Sequence, residues 1–206
     1  MQHPIQSLIF GLLIMTSVMT ANKPSQTPNK SVETNSSINE NIIIDFSKQS
    51  LSSWQIVNDN VMGGISRSSF KRHDEGYVVF SGIVSLENYG GFASVRTQTR
   101  TPVNLSQFKG LVVRTLGDGN LYCIRLRSVE NGRITWYTHQ ARFKTKQGEW
   151  ETHTIPFSTF KAEFRGSNIR GNPALNPEAV LEIGFMIQDK QEGAFRLGIS
   201  TLSGYE

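Results

Sequence analysis

The chain has 206 residues, with 21 Lys and Arg against 17 Asp and Glu, a formal charge of +4. That is room for one ordinary domain plus a tail. The basic residues are scattered, with no run dense enough to track phosphates, so nucleic acid is not an expected partner. A single cysteine, Cys123, excludes an intramolecular disulfide and a cysteine-rich zinc site.

Residues 8–18 read LIFGLLIMTSV. This uncharged apolar run is shorter than the roughly 20 residues needed to span a bilayer. With Thr20 and Ala21 behind it, residues 1–21 read as an export signal cut near Ala21, or as an uncleaved anchor, the chain's only expected route to a membrane. Either way the protein is expected to be exported, periplasmic or extracellular. Residues 22–41 are rich in Ser, Thr, Asn and Pro and cannot bury enough surface to offset the entropy of ordering, so they read as a disordered linker.

From Ile42 the texture changes. Residues 42–46 (IIIDF) form a β-branched run, and 77–80, 91–96 and 111–114 read as further strands. Residues 117–120 (GDGN) are a turn signal. In 121–127, alternation puts Tyr122, Ile124 and Leu126 on one face and Cys123, Arg125 and Arg127 on the other. Residues 134–144, 150–155, 181–188 and 195–200 complete the set, while 156–177 is turn-rich, with one helical turn at 158–160. Eight or nine short strands without amphipathic helices predict an all-β domain over 42–206, a two-sheet sandwich or jelly roll.

Catalytic motifs are absent. There is no Gly-x-Ser-x-Gly elbow and no phosphate loop, and His3, His73, His139 and His153 have no metal-ligand spacing. Cys123 and His139 could face each other across adjacent strands as a thiolate–imidazole pair; the competing reading is a buried thiol beside a satisfied histidine. The acids Asp59, Glu87, Asp118, Glu163 and Asp189 are scattered, most of them in turns, unlike a paired-carboxylate site. A binding protein without enzymatic activity or cofactor is therefore expected.

Two segments, 54–66 (WQIVNDNVMGGIS) and 80–96 (FSGIVSLENYGGFASVR), carry double glycines beside Asp and Asn. Such loops admit close backbone approach, and Asp and Asn beside the glycines can fold back onto local amides; the first reading is two tight loops whose side chains lock each other, the second a loop surface that grips a ligand. Together with Gly117-Asp118-Gly119, Tyr122, Gly148-Glu149-Trp150, Pro156-Phe157, Phe160, Phe164-Arg165-Gly166, 183–187 (IGFMI) and 193–197 (GAFRL), they resemble the complex I intermediate-associated protein 30 family over nearly all of 42–206. The resemblance implies a galactose-binding-like sandwich and a non-enzymatic assembly chaperone for respiratory complex I. The mitochondrial members carry an arginine-bearing presequence where this chain carries its export-like segment.

Two kinds of partner follow. The first is a protein, in particular a membrane respiratory subunit. The alternative is a glycan outside the cytoplasm, with Arg125 and Arg127 on one strand face and Trp136, Gln140 and Arg142 on the next forming a sugar platform. The candidate binding residues are Asp59, Met62, Glu87, Asn88, Arg96, Arg125, Arg127, Trp136, Gln140 and Arg142. A structural calcium is compatible with sandwich modules of this type, although no acidic cluster identifies its ligands.

Overall fold

The computed structural model describes residues 41–206. The readings of residues 1–21 and, except for Asn41, of 22–41 lie outside the described residues. The strands are β1 (Asn41–Asp45), β2 (Trp54–Ile56), β3 (Arg67–Arg72), β4 (Val78–Val84), β5 (Ala93–Val103), β6 (Gly110–Leu116), β7 (Leu121–Glu130), β8 (Arg133–Ile134), β9 (Thr138–Lys144), β10 (Trp150–Pro156), β11 (Lys161–Phe164), β12 (Ser167–Asn168), β13 (Val180–Ile187) and β14 (Gly193–Tyr205). Helical turns occur at Asp59–Met62, Glu87–Tyr89, Phe157–Thr159 and Pro177–Ala179.

They form two antiparallel sheets. The smaller runs β10-β6-β14-β4-β3, with β1 also paired to β14; the larger runs β12-β11-β9-β7-β13-β5-β2, with β8 also paired to β7. The all-β two-sheet expectation is met. Long strands lie in the middle of each sheet because they alternate cleanly. In β7, Tyr122, Ile124 and Leu126 are buried in the core while Cys123, Arg125 and Arg127 take the opposite face.

Aromatic rings tie the layers together. Phe46, at the end of β1, packs 5.4 Å from Trp54 of β2 and 6.5 Å from Phe185 of β13, both in the other sheet. Phe195 of β14 lies 6.5 Å from Tyr122 of β7 in the other sheet, and 4.9 Å from Phe80 of β4 in its own. Each buried Phe contributes about 1.5–3 kcal/mol over leaving it exposed.

Some elements differ from the expectation. The expected strand 134–144 is broken: β8 pairs with the end of β7 and β9 with its start, and Thr135–Tyr137 between them form a bend. There the Thr135 hydroxyl donates to the Tyr137 carbonyl at 2.9 Å. Local hydroxyl bonding of this kind competes with the ladder. β2, β3, β11 and β12 were not expected, because they are short or lie in segments dominated by Gly, Ser and Arg.

Candidate functional site

The two double-glycine segments cross between the sheets and meet at Asp59, which is fully buried. Its Oδ1 accepts the Ser66 amide at 2.9 Å; its Oδ2 accepts the Gly91 amide at 2.7 Å, the Phe92 amide at 3.3 Å and the Ser66 hydroxyl. Burial works against its ionisation. The Ser66 hydroxyl and the amides of Gly91, Ser66 and Phe92 outweigh that and hold its carboxyl below the ordinary value. The glycines make room for this arrangement: a Cβ on Gly64 would lie 2.4 Å from Asp59 Cγ, and one on Gly90 would lie 2.6 Å from Asp59 Oδ2. Asp59, expected as a binding residue, is thus saturated by the loops themselves and locks them together.

What the clasp presents to solvent is mostly apolar. Met62 is 51% exposed, Val61 68% and Tyr89 97%. Asn88 and Tyr89 both hold left-handed backbone, with φ of 54° and 61°. Glu87 and Asn88 are exposed on the same loop. Tyr89 and Val61 were missed from sequence although the paired glycines beside them marked the loops, because that signal points to the segment and not to the side chain it exposes.

The second assembly is the outward face of the larger sheet. Strand register sets Gln55, Arg96, Gly184, Arg125, Gln140 and Lys161 side by side across six strands. Glu182, two positions from Gly184 on β13, lies 3.4 Å from Arg96 and 3.7 Å from Arg127. Arg127 also donates to the Thr135 carbonyl at 2.9 Å. Arg142 bonds Glu163 at 2.8 Å and Asp189 at 2.8 and 3.1 Å, and these two acids push its guanidinium further toward the charged form. Gln140 donates to Glu163. Among the described residues, Arg125 donates to the Thr138 hydroxyl at 3.0 Å, and its Nε is buried without a partner. The structure therefore brings together Arg96, Arg125, Arg127, Gln140 and Arg142. Trp136 departs from the expected alternation: it sits in the bend before β9, 61% exposed, with its ring 5.2 Å from Phe164. Of the acids that complete the network, Glu182 was missed and Glu163 and Asp189 were read as scattered loop acids, because pairing partners distant in sequence carry no local signal.

The Cys123–His139 pair does not form. Cys123 lies on the outward face opposite Arg142 in the register, where burial pushes its thiol up to about 12. His139 points inward, with its Nε2 2.9 Å from the Pro173 carbonyl. Among the described residues, no three His, Cys, Asp or Glu side chains converge to hold a metal. On the other sheet, a cavity of about 370 Å³ is lined by Val112, Arg114, Trp150, Thr152 and Thr201, with Arg114 stacked over Trp150. It offers no acid, thiol or imidazole for chemistry.

The family model for Complex I intermediate-associated protein 30 (CIA30) matches residues 44–199. A probable complex I intermediate-associated protein 30, mitochondrial, of Caenorhabditis elegans is 28% identical over 181 residues, 77% of this chain and 52% of that protein. Its namesake in Drosophila melanogaster is 25% identical, over 77% of this chain and 60% of that protein. The chain thus spans about half the length of the curated relatives it matches. Among solved structures, the family 11 carbohydrate-binding module of the cellulase Lic26A-Cel5E of Clostridium thermocellum superposes with a TM-score of 0.61 at 14% identity, covering 81% of this chain and 95% of that one. The family 11 module of Clostridium thermocellum in complex with a β-1,3-1,4-mixed-linked tetrasaccharide superposes with a TM-score of 0.59 at 15% identity, covering 81% of this chain and 95% of that one. At such identity the likeness establishes the sandwich fold alone. The relatives overturn the expectation of export, since all three matched are named mitochondrial. An apolar run followed by small residues is a compositional signal, and here composition did not specify destination.

Proposed function

The chain belongs to the complex I intermediate-associated protein 30 family, and from that premise we propose that it is a non-catalytic module whose clasped loops hold a protein partner, an assembly intermediate of complex I. One observation carries this reading. Tyr89 keeps left-handed backbone, which costs about 1–2 kcal/mol in a residue with a side chain, and yet its ring is 97% exposed. Strain held by the surrounding loops is a pointer to function. Exposed apolar groups on a rigid base suit a protein contact, and aromatic anchors dominate such contacts. The test is a photo-crosslinking residue at position 89 or 62, challenged with isolated complex I assembly intermediates. Crosslinks to a respiratory subunit from these positions, and not from the far edge at Ser167, are expected. Equal yield from both edges, or none, would end the reading.

A second reading, binding of carbohydrate, is favoured by exposed Trp136 beside Phe164, next in sequence to the Glu163 that Arg142 and Gln140 hold. Aromatic faces with adjoining polar groups suit sugar rings. A glycan array on which the protein and its Trp136→Ala variant behave alike would remove it.

A further inference from the structure

On β13 the outward positions alternate, and two of them are flanked by arginines in different ways. Glu182 supplies a carboxylate to Arg96 on one side and Arg127 on the other. Gly184, the next outward position, lies in register between Arg96 and Arg125 and supplies nothing. Arg96 borders both positions and already has Glu182, so Arg125 is the arginine left without a carboxylate. One cannot come from position 184, because a Cβ on Gly184 would lie 2.6 Å from the Val95 carbonyl oxygen.

Arg125 shows the consequence. No carboxylate pairs with it among the described residues, and its Nε is buried with no partner. Burial first, and then the neighbouring Arg96 and Arg127, work against its charge, while Glu182 gives partial support. A guanidinium has five donors in a planar fork that matches a carboxylate, and leaving buried donors unmade is costly.

We propose that the notch over Gly184, between Arg96 and Arg125, takes a carboxylate from an acidic segment of a partner polypeptide. The row runs across six strands and is exposed at both ends, at Gln55 and Lys161, so an extended chain can lie along it with a further acid near Lys161. The inference rests on reading the chain as a module that holds a protein, and adds the chemistry of what it holds.

The test is fluorescence anisotropy of the full chain at low salt with a labelled peptide alternating Glu and Gly, and with its Gln–Gly counterpart. The Glu peptide is expected to bind at least about tenfold more tightly, and Arg125→Met to lose about tenfold of that affinity. Arg133→Gln, outside the row, is expected to leave it unchanged. If the Met variant does not fold, Arg125→Lys, which keeps the charge without the fork, is expected to bind at least about threefold more weakly than the parent. Equal binding of both peptides, or an undiminished Arg125 variant that folds, overturns the proposal. Competition by free glutarate as effective as the peptide, carboxylate for carboxylate, overturns its polypeptide source. Crosslinks from Tyr89 that persist when the Glu peptide fails to bind would sink this inference alone; Arg125-dependent peptide binding without those crosslinks would sink the loop reading alone.

Discussion

The carboxylate of Asp59 accepts the backbone amide of Gly91 at 2.7 Å, joining two loops that lie 32 residues apart in the chain. This bond is short and charge-assisted, and three other donors converge on the same buried carboxylate. The clasp is therefore one unit: a carboxylate of one loop satisfies amides of the other, and the apolar residues it presents rest on a buried group.

Replacing Asp59 with Asn keeps the shape and removes the charge. An amide nitrogen would then face backbone donors. The expected loss is about 3 kcal/mol in urea unfolding. The parent should also be acid-sensitive through this group. Its folded-state pKa lies below the ordinary 3.8, so between the two values the unfolded chain binds a proton that the folded one refuses. The stabilisation is complete above about pH 4 and is lost as pH falls through the folded value. The Asn variant should show less of this acid dependence, read from melting temperature against pH.

The glycines of the clasp separate sterics from backbone freedom. Gly63 has φ of 96° and open space around its missing Cβ; a Cβ on Gly90 would meet Asp59 Oδ2 at 2.6 Å and the Ser85 carbonyl oxygen at 2.7 Å. Gly63→Ala should cost about 1 kcal/mol, the left-handed penalty alone. Gly90→Ala should cost about 3 kcal/mol or prevent folding, because backbone must move. Similar values for the two in chemical denaturation would show that the clasp tolerates expansion.

Much of the sandwich was legible because period-two patterning is a local signal. Tyr122, Ile124 and Leu126 announce their face without reference to any other strand. The same logic put Arg125 and Arg127 together. It failed at Trp136, where a bend held by Thr135 breaks the alternation, and at β3, whose Arg67–Arg72 run reads as a polar surface because it lies at a sheet edge. That the two glycine loops lock each other was legible from their Asp, Asn and Gly content; which donors Asp59 takes was not, because Ser66, Gly91 and Phe92 are brought together only in the folded chain.

Cys123 should be inert in the native protein. Burial pushes its thiol up to about 12, and Gln188 lies 3.4 Å from the sulfur. At pH 8 almost none of it is thiolate, the reactive form. A disulfide-exchange reagent should label the folded chain very slowly and the urea-unfolded chain at once. Rapid labelling without unfolding would mean that the outward face of the larger sheet opens locally.

His153 predicts a second pH effect, near neutrality. Its ring packs 4.8 Å from Phe143 and lies 3.1 Å from the Thr115 hydroxyl, and burial lowers its pKa, with Glu151 opposing the shift. Below the ordinary 6.5 the unfolded histidine takes a proton sooner than the folded one, so stability should fall as pH drops from 6.5 through the folded value. His153→Gln should flatten that part of the curve. An unchanged slope between pH 7 and 5 would assign the effect elsewhere.

Tyr89 sets stability against binding. Its left-handed backbone, φ 61°, costs about 1–2 kcal/mol in a residue with a side chain, and glycine adopts it freely. Tyr89→Gly should therefore be neutral or up to about 1 kcal/mol more stable, since glycine gives back part of the gain as unfolded-state entropy. A ring kept for the fold would behave otherwise: its removal would lower the melting temperature. The same variant should lose most of the crosslinking that a photo-reactive residue at Met62 makes to a partner subunit, because an exposed aromatic anchor is the kind of group that dominates a protein contact. Retained crosslinking together with lost stability would place Tyr89 among the structural residues of the loop and leave Val61 and Met62 as the contact.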